Sequence, residues 1–174
     1  MKGFVRLGVS LMLFFIPAQA RALHAIDSLL MALPTVETGQ KRIDLLNTLA
    51  LAYTVISVED AEKFATQAIG LAREVNYEVG LAESYKVLGM TYYVKGEHDK
   101  AIEYSFQSLK LYESVDNLAG QSDVLNNMAV VFTARKELDK AYNLSTKSLE
   151  LKREIGDSVG VATSILALAE IFMQ

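Results

Sequence analysis

Glycine recurs every forty residues along this chain, at Gly80, Gly120 and Gly160. Other positions recur with the same period, as small side chains and as large apolar ones. The small set is Ala61, Ala65 and Ala68, then Ala101, Ser105 and Ser108, then Ala141, Ser145 and Ser148; the large set is Phe64, Ile69 and Leu71, then Tyr104, Leu109 and Leu111, then Leu144, Leu149 and Leu151. A fixed period of this length is typical of stacked supersecondary units, none of which can bury its hydrophobic face alone. The sequence therefore predicts a solenoid.

The other half of each unit carries apolar residues at i, i+3, i+4 and i+7, which is one face of an α-helix. The four sets are Leu46, Leu49, Ala50 and Tyr53; Tyr85, Leu88, Gly89 and Tyr92; Leu125, Met128, Ala129 and Phe132; and Ile165, Leu168, Ala169 and Phe172. The first offset is 39 rather than 40, so one residue is missing in the turn around Ser57. Each unit is therefore predicted to be two helices, A and B, whose small residues let the backbones cross closely. Helices are expected at about 41–57, 59–75, 79–95, 98–115, 119–134, 138–155 and 159–173.

The pattern resembles the tetratricopeptide repeat (TPR) family. Residues 82–112 show it best, through Tyr85, Leu88, Gly89, Tyr92, Gly96, Ala101, Ser105 and Ser108. The period is 40 rather than the family's usual 34, and the helix-ending proline of the family is absent. We expect the extra residues to lie in linkers between helix B and the next helix A, at Asn76–Gly80, Asp116–Gly120 and Gly156–Gly160. The resemblance covers residues 41–174 and implies an all-α, right-handed solenoid of antiparallel helix pairs with seven to eight helices.

The first twenty residues have the pattern of a secretory signal peptide. Lys2 and Arg6 precede a short apolar run that ends at Ile16, and Ala18-Gln19-Ala20 follows, so cleavage is expected before Arg21. About ten apolar residues are too few for a membrane span of roughly twenty, and a buried N-terminal helix is the other alternative. The protein is therefore expected on the periplasmic or extracytoplasmic side of the membrane.

The chain divides by these patterns into six segments. They are the signal peptide 1–20, an N-terminal capping helix and loop 21–40, the repeats 41–80, 81–120 and 121–160, and the half repeat 161–174. The capping helix is predicted from Leu23 to Leu33, with its apolar stripe on the first repeat and Pro34 at its end. In the half repeat no helix B follows the apolar face, and we expect either a chain cut from a longer protein or a partner at this end, including a second copy.

Composition and charge exclude several classes of function. The chain carries a formal charge of −4, and residues 1–20 contribute only Lys2 and Arg6, so the remainder carries −6. A negative domain without a basic block gives no electrostatic footprint for nucleic acid. There is no cysteine, and the two histidines, His24 and His98, are far apart in sequence. We therefore predict no metal site, no cofactor and no catalytic centre.

The resemblance also indicates a binding surface, because helix A lines the concave groove in TPR proteins. The corresponding residues are Asn47, Glu83, Lys86, Met90, Tyr93, Asp123, Asn126, Val130 and Thr133, with Asp44, Leu51, Thr54, Thr163, Leu166 and Glu170 beside them. Asn47 and Asn126 share a column in which an amide could hold a peptide main chain, although solvated asparagines are equally compatible with it. Tyr93 is the sharpest candidate, and the alternative is that it covers the next helix A near Thr133. The mildly acidic groove favours a segment with lysine or arginine.

Three functions follow as hypotheses. The first is a non-catalytic protein–protein interaction module, exported, which is similar to the N-terminal sensing or scaffold parts of bacterial sensor kinases, cyclases or regulators. The alternative is a free periplasmic scaffold or assembly factor. A distant third is a helical glycan-active enzyme, which would need convergent carboxylates. Asp44, Glu83 and Asp123 share a column, but successive helices place them about 10 Å apart.

Overall fold

The computed structural model describes residues 25–37 and 39–173. The chain divides between Glu37 and Thr38 into two compact units. In the first unit, residues 25–32 form helix α1. The predicted signal peptide lies outside the described residues, as does Leu23 of the predicted capping stripe, so both the leader and the capping role stay predictions. None of the helices in the described ranges combines the length and apolar character that a membrane crossing needs.

The second unit is a regular succession of helices and short turns. Its helices are α2 (Gln40–Tyr53), α3 (Val58–Glu74), α4 (Glu78–Val94), α5 (His98–Ser114), α6 (Leu118–Ala134), α7 (Leu138–Glu154) and α8 (Ser158–Phe172). From α3 to α7 each helix has 17 residues. Consecutive helices pack against each other, and a turn of only three or four residues between them requires an antiparallel arrangement. The predicted all-α solenoid of helix pairs is confirmed.

One turn type recurs between these helices. Residues in the left-handed conformation stand twenty positions apart, at Asn76, Gly96, Asp116, Lys136 and Gly156. After each of them, the next amide bonds back to a carbonyl five residues earlier, as Glu97 N–H donates to Tyr92 O at 2.9 Å. This is the Schellman motif, which satisfies the free carbonyls at a helix end.

The turns correct the predicted position of the extra residues. The linkers expected at Asn76–Gly80, Asp116–Gly120 and Gly156–Gly160 are shorter than that, because the A helices begin at Glu78, Leu118 and Ser158. The recurring glycines therefore lie in the first turn of a helix, and the additional length of each unit is helical.

Close packing explains why these positions hold glycine. A Cβ atom on Gly120 would overlap the Tyr112 ring, and a Cβ on Gly160 would come within 2.6 Å of the Lys152 side chain. Tyr112 and Lys152 occupy the same position near the ends of α5 and α7. In α5 and α7 a long side chain thus covers the first turn of the next A helix, whereas α3 has Ala72 at this position and Gly80 lies against Tyr77.

The helices form two layers, which we call the A helices (α2, α4, α6, α8) and the B helices (α3, α5, α7). Each A helix contacts the next A helix, whereas the B helices between residues 39 and 173 make no contact with one another. The small residues sit at the crossings as predicted: Ala61, Ala101 and Ala141 are fully buried. Ser108 and Ser148 donate across the crossing to Ala82 O and Ser122 O, both at 2.7 Å.

Helix α8 differs from the other A helices. Four positions that α4 and α6 bury against a B helix correspond in α8 to Ile165, Leu168, Ala169 and Phe172, and none of these four is buried. Phe172 is 76% exposed. Gly160, Ser164 and Ile171 are the buried residues of this helix. No helix among the described residues covers the other face.

Candidate functional site

The contacts between A helices define a concave side. Because the A helices touch while the B helices stand apart, the stack curves with the A helices on its inner surface. Two pockets open on this surface, at the carboxyl-terminal halves of the A helices. We call them the apolar pocket and the polar pocket.

The apolar pocket lies between α2, α4 and α6 and has a volume of about 390 Å³. It is lined by Leu51, Thr54, Val55, Gly89, Met90, Tyr93, Val94, Ser105, Asn127, Val130 and Val131. Leu51, Val55 and Val94 are each more than 40% exposed. Accessible aliphatic side chains around a concave space are what a peptide side chain needs for burial.

The polar pocket lies between α4, α6 and α8 and has a volume of about 220 Å³. It is lined by Tyr93, Ala129, Val130, Thr133, Ala134, Lys136, Ser145, Ala167, Glu170 and Ile171. Eight of these lining residues stand forty positions after a lining residue of the apolar pocket. The pairs are Gly89 and Ala129, Met90 and Val130, Tyr93 and Thr133, Val94 and Ala134, Ser105 and Ser145, Asn127 and Ala167, Val130 and Glu170, and Val131 and Ile171. The two pockets are therefore the same place in successive repeats.

Tyr93 and Val130 line both pockets and so join them into one groove. The Tyr93 ring stacks on the His98 ring, with centroids 5.8 Å apart and an angle of 22° between the planes. His98 begins α5, so the turn after α4 holds the aromatic ring in place. A half-buried, pre-positioned aromatic ring is a common anchor in protein interfaces.

Four of the nine predicted groove residues meet at these pockets, namely Met90, Tyr93, Val130 and Thr133. The hydroxyl of Thr133 donates to its own helix at Ala129 O, 2.9 Å away. The other five line neither pocket, and the structure gives each of them different surroundings.

Asn47 corrects the prediction most clearly. It is 3% exposed, its Nδ2 donates to Gly80 O at 2.9 Å, and its Oδ1 accepts from Ser84 Oγ at 2.7 Å. Its amide therefore links α2 to α4 in the interior and is not offered to a peptide. The residue in the same column of α6, Asn126, is half-buried, and its Oδ1 is buried without a partner among the described residues.

The predicted acidic residues are engaged in contacts between helices. Glu83 Oε2 accepts from Tyr112 Oη at 2.6 Å and pairs with Lys86 Nζ at 2.9 Å. In the next repeat, Asp123 Oδ1 pairs with Lys152 Nζ at 3.2 Å, and the Lys152 side chain is almost fully buried. Glu83 and Asp123 therefore each contact the following B helix, whereas Lys86 pairs with Glu83 within α4, and none of the three lines either pocket.

Tyrosine ionisation reflects the same contacts. Burial raises the pKa of Tyr112 well above its ordinary value, and the nearby Glu83 carboxylate raises it further. The pKa of Tyr77 is also raised, by burial first and then by Asp44. Each carboxylate of the Asp44, Glu83 and Asp123 column thus has its own partner, and across residues 25–37 and 39–173 no three metal-binding side chains converge.

The groove residues missed by the prediction include residues that directly follow predicted ones on the A-helix side and a residue on the B helix α7. Val55, Val94, Asn127 and Ser145 belong to this set. The sequence signal was present in Val94 and Ala134, which stand forty residues apart at the end of α4 and α6. In α2, α4 and α6, polar side chains of the amino-terminal halves contact neighbouring helices, and the two pockets lie at the carboxyl-terminal halves.

The architecture is that of an α-solenoid of helix pairs with an inner groove. No protein-family model and no curated protein match this chain. Solved structures do match it in fold, and the fold they share is of the tetratricopeptide repeat type. Aspartyl phosphate phosphatase F from Bacillus subtilis matches with a TM-score of 0.75 and 13% identity, over 87% of this chain and 43% of that protein.

Two further structures agree with this assignment. The TPR-sensor-containing signal transduction ATPase with numerous domains from Pyrococcus horikoshii matches with a TM-score of 0.74 and 17% identity, over 92% of this chain and 25% of that protein. RapI, in its apo form, matches with a TM-score of 0.70 and 17% identity, over 88% of this chain and 44% of RapI. This chain thus spans less than half the length of each of these three proteins, and the likeness shows the fold.

Proposed function

We propose that this protein is a non-catalytic interaction module that holds a peptide segment of a partner protein in the groove of its A helices. The observation that carries the proposal is the apolar pocket, where accessible side chains of α2, α4 and α6 surround about 390 Å³. Tyr93 supplies a pre-positioned aromatic wall. An apolar peptide side chain entering this space would gain roughly 1.5–3 kcal/mol from burial.

Two further parts of the proposal concern location and context. The signal-peptide pattern of residues 1–20 supports export to the periplasm, and the long repeats support a sensing or scaffold role in a larger bacterial signalling protein. The ATPase among the structural neighbours carries its TPR region as a sensor, which is compatible with that role by analogy. The carboxylates that a glycan-active enzyme would need already have partners within the fold.

Peptide display tests the binding proposal. We expect the purified chain to enrich peptides with an apolar residue from a random library, and Tyr93→Ala to weaken the enriched peptides at least tenfold. Phe106→Ala is the matched control, because Phe106 is an aromatic residue of α5 that is 55% exposed and lines neither pocket. Equal loss in both variants, or no loss in Tyr93→Ala with an unchanged melting temperature, would remove the groove as the binding site.

Export has its own test. Residues 1–25 fused to a reporter that is active only outside the cytoplasm should give activity, and the mature protein should begin at Arg21. Full-length protein beginning at Met1 in the soluble cytoplasm would contradict the periplasmic part of the proposal, while the binding part would stand.

A further inference from the structure

The two pockets of the groove are equivalent in position and share Tyr93 and Val130 as a common wall, but they differ in polarity at two equivalent positions, and this difference bears on which peptide the groove selects. Where the apolar pocket has Val130 and Tyr93, the polar pocket has Glu170 and Thr133. The inference rests on the proposed function, because it specifies the ligand of the same groove.

The polar pocket contains a carboxylate that has no hydrogen-bond or ion-pair partner in the described part of the chain. Glu170 is exposed and lines the pocket. Within residues 25–37 and 39–173 no hydrogen bond or ion pair involves its carboxylate, in contrast to Glu83 and Asp123. Lys136 also lines this pocket and is already engaged in an interaction of its own.

A second observation points to a ligand at the same place. Ser145 is fully buried, lines the polar pocket, and its Oγ has no hydrogen-bond partner in the described part of the chain. Its equivalent in the apolar pocket, Ser105, donates to Ala101 O at 2.7 Å. An unpaired buried hydroxyl costs stability, and a polar ligand group entering the pocket would pair with it.

The distance between the pockets limits the spacing of the ligand groups. Neighbouring packed helices lie about 8–10 Å apart, and the pockets are one A helix apart along the stack. A peptide in the polyproline II conformation advances about 3.1 Å per residue and returns to the same face every three residues, so residues i and i+3 are about 9 Å apart on one side. An extended β conformation would turn these two side chains to opposite faces.

We propose that the groove selects a peptide in which an apolar side chain and a lysine or arginine stand three residues apart. The apolar side chain fills the apolar pocket, with Tyr93 and Val130 as its walls. The cationic side chain enters the polar pocket and donates to Glu170. Charge complementarity favours a cation, because an uncharged side chain would leave the Glu170 carboxylate unpaired.

Fluorescence anisotropy with labelled nine-residue peptides tests this. The peptides carry one leucine and one arginine in a proline–serine background, separated by two, three or five positions and in both chain directions. We expect the three-residue spacing to bind at least tenfold more tightly than the other spacings in one direction. Replacing the arginine with glutamate should weaken that peptide by a similar factor.

Variants of the protein assign the cation to its pocket. Glu170→Gln should weaken the leucine–arginine peptide about tenfold and leave the leucine-only peptide unchanged, whereas Glu150→Gln, an exposed carboxylate of α7 outside both pockets, should change neither. Ser145→Ala should weaken the arginine peptide several-fold without lowering the melting temperature, since it removes an unpaired buried hydroxyl.

The outcomes separate this inference from the proposed function. If display-selected peptides depend on Tyr93 but show no preference for arginine and no effect of Glu170→Gln, the two-pocket inference is wrong and the groove remains the binding site. If Tyr93→Ala leaves all peptide binding intact, both are wrong.

Discussion

Single residues in this fold are constrained by the close approach of one helix end to the start of the next. Gly120 lies against the Tyr112 ring and leaves no room for a Cβ atom. Gly70, in the middle of α3, has no atom within 4 Å of the place its Cβ would occupy. Gly120 therefore leaves no room for a side chain, whereas Gly70 has room for one.

Substitution of these glycines by alanine should change stability in opposite directions. Gly120→Ala forces the Tyr112 ring to move, and overpacking of this kind costs on the order of 1–3 kcal/mol. Gly70→Ala should stabilise the protein by about 0.5–1 kcal/mol, because alanine loses less backbone entropy in a helix. Urea unfolding measures both, and a stabilised Gly120→Ala variant would contradict the packing described.

The Tyr112 phenol should make folding sensitive to alkaline pH. Its pKa in the folded state is raised above the ordinary value of 10.0, first by burial and then by Glu83. The stabilisation from the protonated phenol is therefore complete below pH 10 and is lost as the pH rises above 10.

Tyr112→Phe should reduce this alkaline loss. At pH 8 the variant loses the hydrogen bond to Glu83, at a cost of about 1 kcal/mol, and its urea midpoint should fall less than that of the wild type between pH 9 and pH 11. Tyr142→Phe, an exposed position of α7, serves as the control. Parallel pH profiles for Tyr112→Phe and wild type would count against a buried, carboxylate-bound phenol.

At the scale of helices, burial differs strongly along the stack. Helix α6 buries nine residues, including Leu125, Met128 and Phe132, whereas α8 buries three, two of which are Gly160 and Ser164. Helical stability in proteins comes mainly from packing of the apolar face. The two A helices should therefore open with different free energies.

Amide hydrogen exchange should show this difference. We expect the amides of α8 to exchange at least tenfold faster than those in the middle of α6 at neutral pH, because opening α8 exposes little core. Addition of a peptide that binds the polar pocket should slow exchange in α8. Equal protection of α6 and α8 in the free protein would show that the exposed face of α8 is covered in solution.

The helix crossing in the third repeat provides a second test at this scale. Ala141 is fully buried, so Ala141→Arg would overpack the crossing and bury a charge without a partner, at a cost on the order of 3 kcal/mol or more. Asn143→Arg, two residues further along α7 and exposed, should be nearly neutral. The urea midpoints of the two variants are compared. An unchanged midpoint for Ala141→Arg would show that Ala141 does not lie at the helix crossing.

The sequence predicted most of the helices because packing at the helix crossings fixes the size of the side chains there, whatever ligand the protein binds. Ala61, Ala101 and Ala141 are such positions, and all are buried. The turn at Lys136 lies where the sequence placed it, between residues 134 and 138, although Lys136 adopts a positive φ of 62°. The linkers at Asn76–Gly80, Asp116–Gly120 and Gly156–Gly160 were placed too far along the chain, because their final glycines lie inside the first turn of a helix. The interior position of Asn47 depends on its hydrogen bonds to Gly80 and Ser84 of α4. Comparing equivalent positions of the A helices in the sequence does not reveal these partners.

At the scale of the whole second unit, each helix contacts the neighbouring helices in sequence, and each A helix also contacts the next A helix. Residues 39–173 contain no contact between α2 and α6, or between α4 and α8. The stability of such a chain is approximately a sum over units and their interfaces. Because every unit ends in the same turn, each B helix packs against the next A helix in a similar way, in the pairs α3–α4, α5–α6 and α7–α8.

Removal of one complete unit should leave a folded protein. Deletion of residues 81–120 joins Gly80 to Gln121, so the three residues that begin α4 continue into α6 with the register preserved. We expect cooperative urea unfolding with a smaller m-value, since less surface is exposed on unfolding. Deletion of residues 81–110 shifts the register by ten residues and should not give a cooperative transition, and similar behaviour of the two deletions would contradict the equivalence of the units.

The identical turns also bear on how such a chain can change over evolutionary time. In-frame recombination between the segments that begin at Gly80, Gly120 and Gly160 would add or remove forty residues and keep the same kind of turn at the junction, because a turn with a left-handed residue precedes each of these glycines. Every such event would alter the number of pockets along the groove by one. The length of partner segment that the protein accommodates can thus vary between descendants in steps of about three peptide residues, while the helix boundaries stay the same.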